Sequence, residues 1–499
     1  MPRPVLFSGF DLVAPELPAD ARILNAPPPL DPLGQVKESA KRALEAPVSG
    51  AALSRRVHAH SRVAVVVDDL SLPVPPLNHD CRRELLEAVL DLLAEKGLTS
   101  KRVTVLIANG LSRQWRMSEL TDALGIQVTA AFPPICHDAE AQLQLTRIAD
   151  EPEGPIEFNR ALIDCDLVVH VNLVTTPLHA GLYPIAAGAT SYRTQRMLNH
   201  PSHFEEHAPL QPGSSFHRAH ERVTAALQKR VPVMQLSAVL NNDVYAPSLS
   251  AMLRSEKGLS RSLQVWNAMP NAVRHRAARL LRANYQPIAV VAGPPEAVGP
   301  QALGAFYRQH EREVEGDAQV VIFGLPDQGP GSVGSAQNPI LSANLALGYV
   351  MNLFTHKPLL QEGGVIIFAN PLAPSFDKVH LPQQEFYEKV LRLERDPTAI
   401  AEKYEPYFAG KPEFVANYQK NYAFHGAHPL YAWAMCNSAR QRAARIIVAH
   451  GDPRACARLG FTPATNIEDA LHRAKEALAD AQPSVAVMEL PPPYWVRVN

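Results

Sequence analysis

The sequence lacks the features that would assign it to a membrane-bound or nucleic-acid-binding class. It has no run of about 20 apolar residues, the length needed to cross a bilayer, and its opening segment has no continuous apolar core of signal-peptide length. It has no excess of either charge, because 48 Lys and Arg stand against 49 Asp and Glu. Such a balance provides no long-range attraction for nucleic acid or anionic membranes. We therefore expect a cytoplasmic protein with a small-molecule partner, and neither a nucleic-acid nor a membrane partner.

Cysteine is scarce, and its spacing argues against both a disulfide framework and a thiolate zinc site. The five cysteines are an odd number, lie far apart and include no Cys-x-x-Cys pair. We expect them to be buried free thiols.

What the sequence does contain is an ordinary globular composition, with 46% hydrophobic and 19% charged residues over 499 positions. At roughly 100–200 residues per domain, this length predicts two or three domains, and we adopt two. The expected organisation is a Pro-rich arm over residues 1–50, a first α/β domain over 51–249, a helical insertion at the junction over 250–284, and a second α/β domain over 285–499.

Short β-branched runs alternate with helical patterns along most of the chain. This alternation is typical of a parallel sheet covered by helices. The candidate strands are Val63–Val67, Val103–Ala108, Leu167–Val171, Val320–Phe323, Val365–Ala369, Arg445–Val448 and Val485–Met488. The predicted fold class is therefore α/β, with two α/β domains and a cleft between them.

Polar residues at the ends of these strands are the first candidates for a binding site, because ligands of open α/β sheets bind beyond the carboxyl ends of strands. They are Asp68 and Asp69, the segment Asn109–Arg113 and the Gly-rich loop Gly324–Ser335. The free amides of the loop could cradle a phosphate or carboxylate. The alternatives are that Asp69 only caps the next turn and that the loop is only a tight connection.

Two groups of histidines are further candidates. His200, His203 and His207 are spaced by three and four residues, which on a helix places them on one face, as a first-row metal site requires. The alternative is a set of exposed helical histidines. His425 and His428 lie in an aromatic stretch, for which we favour the edge of a core over an approach to the cleft.

Several of these segments form part of a longer series of motifs. In chain order they are Asp68–Pro75, Ile107–Arg113, His137–Asp138, Ala161–Val171, Pro177–Gly181, Met197–His200, Glu362–Ile367, Gly451–Pro453 and Asn466–Leu471. Each motif alone is weak. Their shared order resembles that of the nickel-dependent lactate racemase family.

The resemblance implies two α/β domains with the active site in the cleft between them. It also implies a nickel pincer nucleotide that takes a hydride from the α-carbon of a 2-hydroxy acid and returns it to either face. Residue by residue, it places an acid/base histidine on His179, the nickel ligand on His200 and the acid at the strand end on Asp69.

The sequence departs from the family pattern at functional positions. The other acid/base histidine falls on Ser112, and the arginine that holds the substrate carboxylate falls on Leu72. No lysine occurs between Lys101 and Lys229, where the family attaches its cofactor. We therefore do not expect a covalent, lysine-linked cofactor. Arg113, beside Ser112, is a candidate for restoring carboxylate binding, but a guanidinium cannot accept the missing proton.

The remaining cofactor expectation is nickel, or a nickel pincer nucleotide held without a covalent bond. Its candidate binding residues are Gly329, Gly331, Ser332 and Asp69, with His200 as the metal ligand.

Three functions are compatible with these residues. The first is a racemase- or epimerase-like enzyme acting on a small 2-hydroxy acid or related molecule in an altered site, through His179, Asp69, Ser112 and Arg113. The second is a metal-dependent isomerase, lyase or hydrolase that uses the His200–His207 cluster without a pincer cofactor. The third is a non-catalytic protein that binds a small molecule.

Overall fold

The chain has a mixed α/β fold built on two main sheets, as the sequence predicts. The computed structural model describes residues 4–71, 77–206, 208–244, 264–266, 268–280, 282–327, 329, 331–332 and 337–499. Leu72, His207 and, within the expected insertion at 250–284, residues 250–263, 267 and 281 lie outside these residues.

Sheet I has six strands, which are β4 Val63–Asp68, β5 Val103–Ala108, β6 Ile135–Cys136, β9 Leu167–Val174, β10 Val233–Leu240 and β11 Pro287–Gly293. Their order across the sheet is β11-β10-β9-β4-β5-β6. All pairings are parallel except that of β10 with β11. Alternate residues of the central strands enter two separate cores, one on each face of the sheet. This explains why these strands read as continuous apolar runs.

Sheet II has eight strands, centred on β13. Their bounds are β1 Leu6–Gly9, β2 Asp11–Val13, β3 Arg22–Leu24, β13 Ala318–Pro326, β15 Leu360–Ala369, β16 Arg445–Ala449, β17 Thr462–Ala464 and β18 Val485–Met488. Two further sheets are small. One consists of β12 Glu311–Val314, β14 Phe354–Thr355 and β19 Trp495–Val498, and the other consists of β7 Leu145–Glu151 and β8 Gly154–Asn159.

Helices cover both main sheets. Those around sheet I are Val36–Glu45, Leu53–Arg56, Arg82–Glu95, Met117–Leu124, Ile126–Ala131, Arg160–Ile163, Tyr183–Gly188, Tyr192–Leu198, Ser215–Gln228 and Pro295–His310. Those around sheet II are Pro339–Ala343, Leu381–Glu385, Pro397–Gly410, Pro412–Lys420, His428–Ala434, Asn437–Arg442, Pro453–Leu459 and Ile467–Leu478. Helix Asn271–Arg279 lies within the expected insertion, and a π-helical turn, Asn344–Tyr349, continues helix Pro339–Ala343.

All seven strands expected from the sequence are present, but the expected domain limits differ from the sheets. The arm over residues 1–50 contributes β1, β2 and β3 to sheet II and a helix, Val36–Glu45, to sheet I. Strand β11 belongs to sheet I, so that sheet extends past residue 284. Strands β1, β2 and β3 could not be recognised from the sequence, because each is too short to show a clear alternation of apolar and polar residues.

In the described part of the chain, two passages lead from one main sheet to the other and are bonded to each other. The first passage follows β3, and the second follows helix Pro295–His310. The buried side chain of Gln309 joins them: its Oε1 accepts from the backbone N–H of Leu30 at 2.8 Å, and its Nε2 donates to the carbonyl of Pro28 at 3.2 Å.

The five cysteines are free, as expected from their spacing, but only Cys81, Cys436 and Cys456 are buried, whereas Cys136 and Cys165 are partly exposed. Among the described residues, no helix is both long and apolar enough to cross a membrane.

Candidate functional site

A cavity of about 280 Å³ lies beyond the carboxyl ends of β4, β5 and β9, where the helices that follow sheet II close over sheet I. Its polar and aromatic lining residues are Asp68, Asp69, Ser71, Arg82, Asn109, Ser112, His179, Tyr183, Gln195, Asn199, Asn344, His428 and Tyr431. The cavity is therefore formed by both main parts of the chain.

A close contact between β5 and helix Tyr183–Gly188 forms the floor of this cavity. Gly110 has φ +51° and donates its N–H to the carbonyl of Gly188 at 2.9 Å. A Cβ on Gly188 would lie 2.2 Å from the carbonyl oxygen of Ala108. No side chain fits there, so these glycines allow the helix to approach the strand end.

Asp68, at the end of β4, is fully engaged by sheet I. Its Oδ1 is hydrogen-bonded to Nε2 of the buried His170 at 2.8 Å, and its Oδ2 accepts the backbone N–H of Leu173 at 3.2 Å. Asp68 thus fixes the end of β9, from which the chain continues towards His179.

Asp69, the predicted strand-end acid, lies in the cavity wall. Its Oδ1 accepts a hydrogen bond from Nε1 of Trp115 at 2.6 Å. Burial raises the pKa of Asp69. The hydrogen bonds from Trp115 and Ser71 and the nearby charge of Arg82 lower it, but burial has the larger effect. The carboxyl is therefore an acceptor that gains a proton more readily than an exposed aspartate.

Arg82 is the one cation among the described lining residues, and it is already paired. Its guanidinium contacts both carboxylate oxygens of Asp80 and donates to the carbonyls of Asp69 and Leu70. Its side chain is 1% exposed. Arg82 therefore holds the loop after β4 in place and is committed to these partners.

His179 lines the cavity as the family resemblance implies. It lies in the short turn Pro177–Ala180 after β9, where its Nδ1 is hydrogen-bonded to Oγ1 of Thr175 at 2.9 Å. Burial lowers the pKa of His179, and the charge of Asp68, which raises it, offsets only part of this effect. The imidazole is thus neutral near pH 7.

His428 also lines the cavity, at the start of helix His428–Ala434. Sequence reasoning favoured a core-edge position for it, since nothing local shows that this helix closes over sheet I. Its Nδ1 accepts a hydrogen bond from Nε2 of Gln383 at 3.3 Å. Burial lowers its pKa to about 3, so His428 is neutral at physiological pH.

Side-chain amides form much of the remaining polar wall. Asn109 donates to the carbonyl of His137, while its buried Oδ1 has no hydrogen-bond partner. Asn199 donates to Gln195, and Asn344 donates to the carbonyl of Ala432. Amides both donate and accept, so this wall suits hydroxyl and carbonyl groups.

The other predicted catalytic residues differ in position. Ser112 lines the cavity. Arg113 is not among the lining residues: its guanidinium is bidentate to Glu119, at 2.7 and 2.9 Å, and lies 4.1 Å from the ring centre of Trp115. Arg113 is therefore not positioned to take over the missing carboxylate contact, because its charge is already satisfied.

His200 is exposed and is not among the cavity-lining residues, although its neighbour Asn199 is. Its Nδ1 is hydrogen-bonded to Oγ of Ser202, and residues Pro201–Phe204 form a 3₁₀ turn. His203 is half-buried, with a pKa that burial lowers. Across the described part of the chain, no group of three or more His, Cys, Asp or Glu side chains is arranged to hold a metal ion.

The described part of the Gly-rich loop bonds to itself and to a neighbouring helix. Oγ of Ser332 donates to the carbonyl of Gly329 at 3.0 Å, and the carbonyl of Gly331 is bonded to Nε2 of His380 at 2.7 Å. These three residues are not among those that line the cavity.

Comparison with known proteins shows what this arrangement is similar to. Residues 14–204 match the lactate racemase N-terminal domain. The fold is similar to that of the lactate racemase apoprotein from Thermoanaerobacterium thermosaccharolyticum, with a TM-score of 0.64 and 16% identity over 98% of both chains. It is also similar to a Thermotoga maritima protein solved by a structural genomics consortium, with a TM-score of 0.54 and 15% identity over 95% of this chain and all of that one. No curated protein sequence matches the chain. The N-terminal part of the chain thus matches the lactate racemase N-terminal domain, and the fold as a whole is similar to that of a lactate racemase.

Proposed function

We propose that this protein is a racemase- or epimerase-like isomerase that acts on a small 2-hydroxy acid or a related hydroxylated molecule in an altered site. The observation that carries the proposal is one cavity lined by two neutral histidines, His179 beside sheet I and His428 beside sheet II. Neutral imidazoles can both accept and donate protons, which is what changing the configuration of a carbon atom requires.

The described residues do not fit the family's lysine-linked nickel pincer nucleotide. The segment between His179 and His200 contains no primary amine to attach it. A nucleotide held without a covalent bond would have only the exposed His200 as a protein ligand, and the loop at Gly329 already bonds to itself. We therefore derive no catalytic step through this cofactor.

The proposal is tested with single stereoisomers. Purified protein is incubated separately with each enantiomer of a panel of 2-hydroxy acids and of their uncharged aldehyde and ketone analogues, and products are followed by chiral chromatography. We expect at least one compound to be converted, and His179→Gln to reduce its rate by about 10²–10⁴-fold. A folded protein that converts none of them would instead support a non-catalytic binding role.

Lactate itself is expected to be a poor substrate. Ser112 cannot accept a proton as the family's histidine does, and Arg113 is paired with Glu119. Together these changes should reduce lactate racemisation by at least about 10³-fold relative to an authentic racemase. The assay uses protein from a host that makes the pincer cofactor, and intact mass spectrometry of the same sample should show no adduct. Racemase-like rates, or an adduct on any lysine, would contradict this expectation.

A further inference from the structure

We propose that the substrate is an uncharged 2-hydroxy aldehyde or ketone, and that His179 and His428 move a proton between its carbon and its carbonyl oxygen. This inference rests on the proposed isomerase function and names its substrate class and its second proton-transfer residue.

The charge of the cavity favours an uncharged substrate. Asp68 and Asp69 lie in its wall, whereas the only lining cation of the described residues, Arg82, is paired with Asp80. A substrate carboxylate would meet two acidic side chains and no available cation, and the desolvation of its charge would not be offset.

The polar wall offers partners to a neutral polar molecule instead. Asn109, Asn199 and Asn344, which follow three different elements of the fold, all line the cavity. The buried Oδ1 of Asn109, which has no hydrogen-bond partner, would gain one from a substrate hydroxyl placed against it. A compound of six heavy atoms fits readily within about 280 Å³.

The hydrogen bonds of the two histidines suggest different roles. The Gln383 amide donates to Nδ1 of His428, and a neutral imidazole that accepts at Nδ1 carries its proton on Nε2. Nε2–H of His428 is then a donor for a carbonyl oxygen, a task that a neutral imidazole can perform. His179, held through Nδ1 by Thr175, is assigned as the base.

The reaction balances without an oxidant or a metal. His179 takes the proton from the hydroxyl-bearing carbon, and the electron pair of that C–H bond forms a C=C bond. The carbonyl π electrons move to oxygen, which takes the proton of His428 Nε2–H, giving an enediol. His179 then returns its proton to the neighbouring carbon, while the hydroxyl on the first carbon gives its proton back to Nε2 of His428 and becomes the carbonyl, which exchanges aldehyde and ketone. Protonation of the first carbon on its opposite face, with the enediol oxygen that took the proton of His428 giving it back, inverts that carbon. A carboxylate resists this step because its negative charge disfavours further electron density on its oxygens.

The experiment measures exchange of carbon-bound hydrogen with solvent. Protein in D₂O is incubated with D-glyceraldehyde, with dihydroxyacetone, and separately with D-lactate and L-lactate, while proton NMR follows the loss of carbon-bound hydrogen against a protein-free blank. We expect enzyme-dependent deuterium uptake into the two neutral compounds and none into lactate. His428→Gln and His179→Gln should each lower the exchange rate by about 10²–10⁴-fold, whereas His472→Gln, at an exposed helical histidine, should leave it unchanged.

A second variant tests the role of His428 even if His428→Gln does not fold. Gln383→Glu keeps His428 but places a carboxylate beside its Nδ1, which stabilises the protonated ring and raises the pKa of His428. The pH profile of exchange should then shift to higher pH, an effect that a purely structural role would not produce.

The outcomes separate this inference from the proposed function. Conversion of a 2-hydroxy acid without deuterium uptake would overturn the inference and leave the isomerase function standing. Exchange into glyceraldehyde that is unaffected by His428→Gln and Gln383→Glu would overturn the role of His428. Absence of conversion of every compound by folded protein would overturn both proposals.

Discussion

At the scale of single residues, most of the strand-end positions could be predicted, whereas those brought in from distant segments could not. Asp69, Ser112 and His179 follow strands of one sheet, and the carboxyl ends of parallel strands meet at one edge. His428 joins them only because a helix 249 positions further along the chain than His179 packs over that edge. No local pattern encodes such a contact.

Arg82 shows how a buried charge shapes the cavity wall. Arg82→Met should lower the free energy of unfolding by about 3–5 kcal/mol, because it leaves Asp80, 11% exposed, without its partner and removes the donors for the carbonyls of Asp69 and Leu70. The measurement is urea denaturation.

The neighbouring Arg83 is the matched control for that change. Its side chain is 41% exposed and forms a surface pair with Glu87, so Arg83→Met should cost less than about 1 kcal/mol. Equal losses from the two variants would show that the buried pair has no special role.

At the scale of the elements, central strands were predictable and edge strands were not. Long β-branched runs such as Val63–Val67 and Val103–Ala108 can be recognised as strands from the sequence, because burial of both faces requires a continuous run of apolar residues. The three-residue strands Asp11–Val13 and Arg22–Leu24 contain too few residues for any periodicity. They form strands because β1 and β18 of sheet II provide the backbone hydrogen bonds that hold them.

The helix-to-strand contact below the cavity is sensitive to a single methyl group. Gly188→Ala should destabilise the protein by several kcal/mol, of the order of the most damaging core substitutions, because its Cβ would lie 2.2 Å from the backbone oxygen of Ala108. We expect a lower melting temperature and reduced binding or activity in the cavity.

Gly304→Ala provides the contrasting substitution. Gly304 lies within helix Pro295–His310, and nothing lies within 4 Å of an added Cβ. Alanine should therefore stabilise that helix by about 0.5–1 kcal/mol. A similar response at both glycines would show that backbone entropy, and not the close approach, dominates at Gly188.

At the scale of the whole molecule, buried histidines make stability depend on pH. Burial lowers the pKa of His137 to about 4, of His220 to about 3 and of His310 to about 4. Below pH 6.5 the unfolded chain binds protons that the folded protein does not, so stability falls as the pH decreases. Each histidine should remove about 1–2 kcal/mol between pH 7 and pH 5.

Urea denaturation at pH 7, 6 and 5 measures this dependence. His220→Gln should reduce the slope by about the contribution of one histidine, and His472→Gln, on the exposed face of its helix, should not change it. Stability that is constant over this range would contradict the assignment of neutral buried rings.

The α/β class was predictable from the alternation of strands and helices, but the path of the chain between the sheets was not. The arm pairs β1 and β3 with strands more than 300 positions later, β13 and β18. Pairings of that range depend on the completed sheet, and no sequence pattern near residues 6–24 indicates them.

The hydrogen bonds that join the two main parts of the chain lie at more than one place. Gln309 bonds to Leu30 and Pro28 where the chain passes between the sheets. A second bond lies next to the cavity, where the hydroxyl of Tyr418 donates to the carbonyl of Gly110. A cavity held between such bonds is preorganised, so that binding of a small molecule there need not bear the cost of ordering its walls.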